Sequence, residues 1–120
     1  MDSASMLKAA LVLMTLTALG GVTMGAIRLG RGANPPSWLA MLHGLLAVMG
    51  VTLLLYGYVT GVVPALAGWA LLLFLVAGGG GAYLNLGYHV RALLVPKPIV
   101  LVHALIAVTG YVLLLMAVLA

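Results

Sequence analysis

Residues 36–55, PSWLAMLHGLLAVMGVTLLL, and residues 96–115, PKPIVLVHALIAVTGYVLLL, decide the fold. Each is a proline followed by an apolar run long enough to cross about 30 Å of hydrocarbon at about 1.5 Å per residue. Each carries one histidine, His43 or His103, and a glycine seven residues later, Gly50 or Gly110. The same offset of 60 residues sets Pro36 on Pro96, Ala47 on Ala107 and the triplet Leu53, Leu54, Leu55 on Leu113, Leu114, Leu115. In a leucine-rich chain the aliphatic matches mean little, so the Pro, His and Gly matches carry the repeat.

Working outward, the offset also pairs Ala10 with Ala70, Leu11 with Leu71, Gly20 and Gly21 with Gly80 and Gly81, and Arg31 with Arg91. The chain therefore reads as one domain of two tandem helical hairpins, residues 1–60 and 61–120. Apolar spans are predicted over 6–29, 39–59, 63–88 and 99–119. Turn chemistry breaks them at 30–36, with a Pro-Pro pair, at 57–64, with two Gly and a Pro, and at 95–98, with two Pro. Connections this short force antiparallel neighbours. The expected architecture is an all-α, integral membrane, up-down four-helix bundle in which helices 2 and 4 are diagonal partners.

Composition agrees: 66% of the 120 residues are hydrophobic and 5% charged, and the mean hydropathy is +1.34. A water-soluble domain of this size would lack the polar surface to cover itself. The absence of cysteine excludes disulfides, iron–sulfur clusters and thiolate metal sites. The net charge of +4 comes from Lys8, Arg28, Arg31, Arg91 and Lys97 against Asp2. Four of these basic residues sit at the first and third connections, which is topology information and not a nucleic-acid footprint. Positive-inside places those two connections in the cytoplasm and both termini outside, in a membrane of the bacterial inner-membrane type. Trp38 on one side, and Tyr56, Tyr58 and Trp69 on the other, suit interfacial belts. The first 26 residues imitate a signal peptide, but the second repeat opens with an equally apolar helix, so the first is expected to be retained.

His43 and His103 fall one to two turns inside the cytoplasmic ends of their helices and face each other across the bundle. With neighbouring helices about 8–10 Å apart, the diagonal is roughly 12–14 Å, the room needed for two imidazoles with a metal between them. A bis-histidine haem fits that gap. Ala47 and Gly50, and Ala107 and Gly110, lie on the histidine face and leave room for a flat macrocycle. Gly20, Gly21 and Gly25 on helix 1, and Gly78 to Gly81 on helix 3, reach nearly the same depth. Two readings of these glycines compete, clearance for a porphyrin and close helix packing of the GxxxG kind. Arg28, Arg31 and Arg91 are placed to bind propionates as well as to anchor the interface. His89, four residues from Asn85 and near Arg91, is read as an interfacial residue, with a propionate partner or further ligand as its other roles. The competing reading of His43 and His103 themselves is hydrogen bonding between helices.

On His43, His103, Gly20, Gly21, Gly80 and Gly81 the chain resembles the four-helix b-type membrane cytochromes, whose paired helices present histidines to haem and whose other helices carry glycines beside the ring. Two-haem members of that class have histidines at two depths on each ligand helix. Here the outer half holds only aliphatic, Gly, Thr and Tyr residues, so one haem b is expected and a second is left open.

The resemblance implies electron transfer through one bis-histidine haem b near the cytoplasmic face. Two axial histidines leave no open position for oxygen chemistry, so no catalytic activity of its own is expected. A haem at one depth needs a partner, a quinone or a redox protein, besides the lipid bilayer; a homo-oligomer is compatible with this. The rival readings are a small transporter or channel, which lacks any Asp or Glu within a span, and a structural subunit or designed scaffold without cofactor.

Overall fold

The computed structural model describes all 120 residues and contains no strand. Its helices are α1 (Ser3–Arg31), α2 (Ser37–Val59), α3 (Ala65–Gly87) and α4 (Lys97–Leu119), with a 3₁₀ turn over His89–Arg91 between α3 and α4. All four are long and apolar enough to cross a membrane.

Helix ends follow capping chemistry. The Asp2 carboxylate accepts the Ser5 N–H at 2.8 Å and starts α1. Gly32, left-handed at φ 66°, ends it. Pro36, Pro64 and Pro96 each stand immediately before α2, α3 and α4. A proline there fixes φ and removes a donor where no intrahelical acceptor exists.

The third span ends where expected, at Gly87 against 88, but the connection to α4 is longer than the break at 95–98. Helix α3 ends at Gly87, and the chain then runs through the 3₁₀ turn and a left-handed Ala92 at φ 56°. Val90, Leu93 and Leu94 keep the hydropathy high through this stretch, so the polar tethers of Asn34 and His89, described below, mark the break where hydropathy does not. Caps, not hydropathy, likewise extend α1 outward to Ser3 and Arg31.

Helix α1 packs on α2 and α4, and α3 on α4 and α2, which leaves α2 and α4 diagonal in a body of 42 × 20 × 18 Å. One end of the bundle carries both termini and the α2–α3 turn. The other, the basic end, carries the remaining two connections with Arg28, Arg31, Arg91 and Lys97.

Residues 60 apart share their burial. Ala10 and Ala70 are both fully buried, as are Leu54 and Leu114, and Met14 and Phe74 occupy equivalent core positions. This dry core fills the terminal half of the bundle. A methyl added at Gly50 would lie 2.5 Å from Met14 Sδ, and one at Gly110 would lie 3.1 Å from Phe74 Cε1. Between the histidines and the basic end the core thins. Met24, Gly25, Leu39, Ala40, Ile99 and Val100 are only half-buried, and only Arg28, Leu84 and Val95 are buried there.

Candidate functional site

The two imidazoles mark the boundary between the dry half and the looser half. Helices α2 and α4 bring His43 and His103 together from the diagonal, with ring centres 6.3 Å apart and planes at 69°. His43 Nδ1 lies 2.8 Å from the carbonyl oxygen of Thr17 on α1. His103 Nδ1 lies 2.7 Å from that of Ala77 on α3. A carbonyl only accepts, so each Nδ1 carries the proton and each Nε2 keeps its lone pair. Neither Nε2 has a hydrogen-bond partner in the protein, and no buried polar atom is orphaned. Both lone pairs therefore open onto accessible space.

Glycines make the tethers sterically feasible. A Cβ at Gly21 would meet His43 Cε1 at 3.0 Å, and one at Gly81 would meet His103 Cε1 at 3.1 Å. A Cβ at Gly20 would lie 3.8 Å from His43 Nδ1, and one at Gly80 3.7 Å from His103 Nδ1. These four glycines thus seat the imidazoles themselves. Gly50 and Gly110 take Met14 and Phe74 in the space expected to admit a macrocycle. Ala47 and Ala107 are half-buried beside the histidines.

The third histidine is of another kind. His89 Nε2 donates to the Pro35 carbonyl at 2.7 Å, and its Nδ1 accepts from Asn85 Nδ2 at 3.4 Å. With both ring nitrogens engaged, its side chain is part of a clasp between the two connections at the basic end. Asn34 completes that clasp, donating to Leu93 O at 2.7 Å and accepting from Val95 N at 3.0 Å. Arg28 turns inward and donates through Nε to Val95 O at 2.8 Å. Arg31 and Arg91 remain exposed.

Sequence reasoning missed Thr17, Ala77, Asn34, Pro35 and Val95. All but Asn34 act through backbone atoms, which leave no residue-type signature. The one available signal was that Thr17 and Ala77 precede Gly21 and Gly81 by a helical turn, 60 residues apart.

Could these residues hold a metal-centred group? No third His, Cys, Asp or Glu joins the pair, so the protein alone does not close a tetrahedral site. Two imidazoles binding one metal from opposite sides at about 2.0–2.1 Å, with each ring centre about 1.1 Å beyond its nitrogen, have centres about 6–6.5 Å apart. The observed 6.3 Å agrees with that. Donation of the other ring N–H to a backbone carbonyl is the usual way a ligand histidine is oriented. The protein would supply two nitrogen donors, and a metal held between them would take its remaining ligands from elsewhere.

The chain matches no protein-family model, no curated protein and no solved structure.

Proposed function

We propose that this chain is an integral membrane electron carrier in which His43 and His103 are the axial ligands of one haem b. The observation that carries the reading is the tethered pair: two Nδ1–H groups held by carbonyls of Thr17 and Ala77, with free Nε2 atoms on rings 6.3 Å apart. When bound, such a group supplies one-electron chemistry with no open coordination position. The protein's own residues do the rest. Thr17 O and Ala77 O fix each ring's tautomer and orientation. Met14 and Phe74 close the terminal side against water. The interior toward the basic end is only half-buried, so that side would admit the group, and exposed Arg31 and Arg91 would bind its carboxylates.

In this reading the four helices span the membrane, with the basic connections cytoplasmic by the positive-inside rule and the termini outside. One redox site near one face exchanges electrons with a quinone or a redox protein. The test is the visible spectrum of the detergent-purified protein after haem-replete expression. A Soret band with split bands on dithionite reduction is expected. His43→Ala and His103→Ala should each abolish or convert it, and His89→Ala should leave it intact. A protein that stays colourless, also after reconstitution with haemin, overturns the reading.

A further inference from the structure

Arg28 is the most unusual charge in the chain. It is only 8% exposed, whereas Arg31, Arg91 and Lys97 at the same end are exposed. An arginine that merely anchors a membrane interface stretches outward and is exposed in the bare protein, as Arg31 is. Arg28 instead lies seven residues past Gly21, nearly two helical turns, on the same inward face of α1 and about 10 Å nearer the basic end.

Its guanidinium has five N–H donors. One, on Nε, is satisfied by Val95 O. Neither Nη group has a hydrogen-bond partner in the protein, and since no buried polar atom is orphaned these donors face accessible space. No counter-charge is at hand. The chain's one acidic residue, Asp2, caps α1 at the opposite end. The groups gathered at Arg28's end are Arg31, Arg91, Lys97 and His89, none of them anionic. The carbonyl end of α1 attracts a cation, but as a partial charge it does not replace a counter-ion. A buried, forked donor without an anion is complementary to a carboxylate or phosphate, which it binds with two parallel hydrogen bonds.

We infer that Arg28 is the receptor for an oxyanion carried by a bound amphiphile, inside the basic end of the bundle. The oxyanion is either the carboxylate of a ring held at the histidines or the phosphate of an anionic lipid. The inference rests on the burial and free donors of Arg28; its carboxylate arm rests on the haem reading as well, and its phosphate arm does not.

The test follows the Arg28 Nε–H resonance of protein labelled with ¹⁵N-arginine in zwitterionic micelles. The probes are gallium protoporphyrin, which is diamagnetic, its dimethyl ester, phosphatidylglycerol and diacylglycerol. A saturable shift with the free acid and not the ester identifies a carboxylate. A saturable shift with phosphatidylglycerol and not diacylglycerol identifies a phosphate. Either result supports the receptor, and Arg28→Gln should then weaken the same isotherm about tenfold, a difference of about 1.4 kcal/mol, while Lys97→Gln, at an exposed cation of the same end, leaves it unchanged. The wild-type titration needs no variant to fold. If no oxyanion moves the Arg28 resonance saturably, or if ester and acid act alike and both lipids fail, the inference is overturned. The haem reading is judged separately, by the spectra of the His43 and His103 variants.

Discussion

His43 Nδ1 is held 2.8 Å from the carbonyl oxygen of Thr17 across the α1–α2 interface, on a ring that lies against Gly21 where any other residue would place a Cβ 3.0 Å from Cε1. The imidazole is thus positioned by the backbone of a neighbouring helix, and the glycine is the condition for its approach.

Gly21→Ala and Gly81→Ala should each push a ring off its tether. The overlap is expected to cost about 1–3 kcal/mol, against a helix-propensity gain of up to about 1 kcal/mol. Unfolding in detergent should show net destabilisation, and any bound haem should show a shifted reduction potential.

Gly78 and Gly79 have nothing within 4 Å of an added Cβ. Alanine at either position should stabilise the protein by about 0.5–1 kcal/mol through propensity alone. Stabilisation at 78 and 79 alongside loss at 21 and 81 separates seating glycines from outward-facing ones. Equal effects at all four positions would remove the basis for that distinction.

Gly50 and Gly110 occupy equivalent places but should respond differently. Met14 Sδ, at the end of a flexible chain, can swing away from a new methyl at Gly50. At Gly110 the methyl meets the Phe74 ring at 3.1 and 3.2 Å and Leu73 Cβ at 3.3 Å, all stiff. Gly110→Ala should therefore be the more damaging by about 1 kcal/mol in equilibrium unfolding.

The Thr15 hydroxyl donates to Leu11 O at 2.7 Å and so accepts from Tyr111 OH, 2.8 Å away, which links α1 to α4 and one hairpin to the other. Tyr111→Phe, Thr15→Val and the double variant form a cycle whose coupling should be about 0.6 kcal/mol, with about 1.7 kcal/mol as a ceiling.

The Asp2 carboxylate is held below its ordinary value of 3.8 by the hydrogen bonds from Ser5. A lowered folded-state value means the cap is fully present above the ordinary value and is lost as pH falls through the lowered one. Amide exchange in the first turn of α1 should therefore rise below about pH 4, and Asp2→Asn, which caps when uncharged, should abolish that dependence.

Much of this was legible beforehand. Hydropathy and proline spacing placed four helices and their antiparallel order, because apolar length and turn residues act locally. The 60-residue offset placed His43 and His103 on diagonal helices, because equal offsets put equal residues at equal depth. The acceptors were not legible: Thr17 and Ala77 contribute oxygens every residue has. Nor was the clasp, since His89, Asn34 and Arg28 have Leu29, Leu94 and Tyr88 as their repeat mates and so lie outside the repeat. The end of the third span at 88 was legible, but the 3₁₀ turn over His89–Arg91 that follows it was not.

Because both imidazoles hang from main-chain oxygens, substitution of the residue that owns the oxygen leaves the acceptor in place. Thr17 and Ala77 already differ while performing the same task. A library randomised at positions 17 and 77 should thus retain the tethers in most small-residue members, while one randomised at 21 and 81 should return almost only glycine. The mutational burden of the centre falls on residues that themselves bear no functional group.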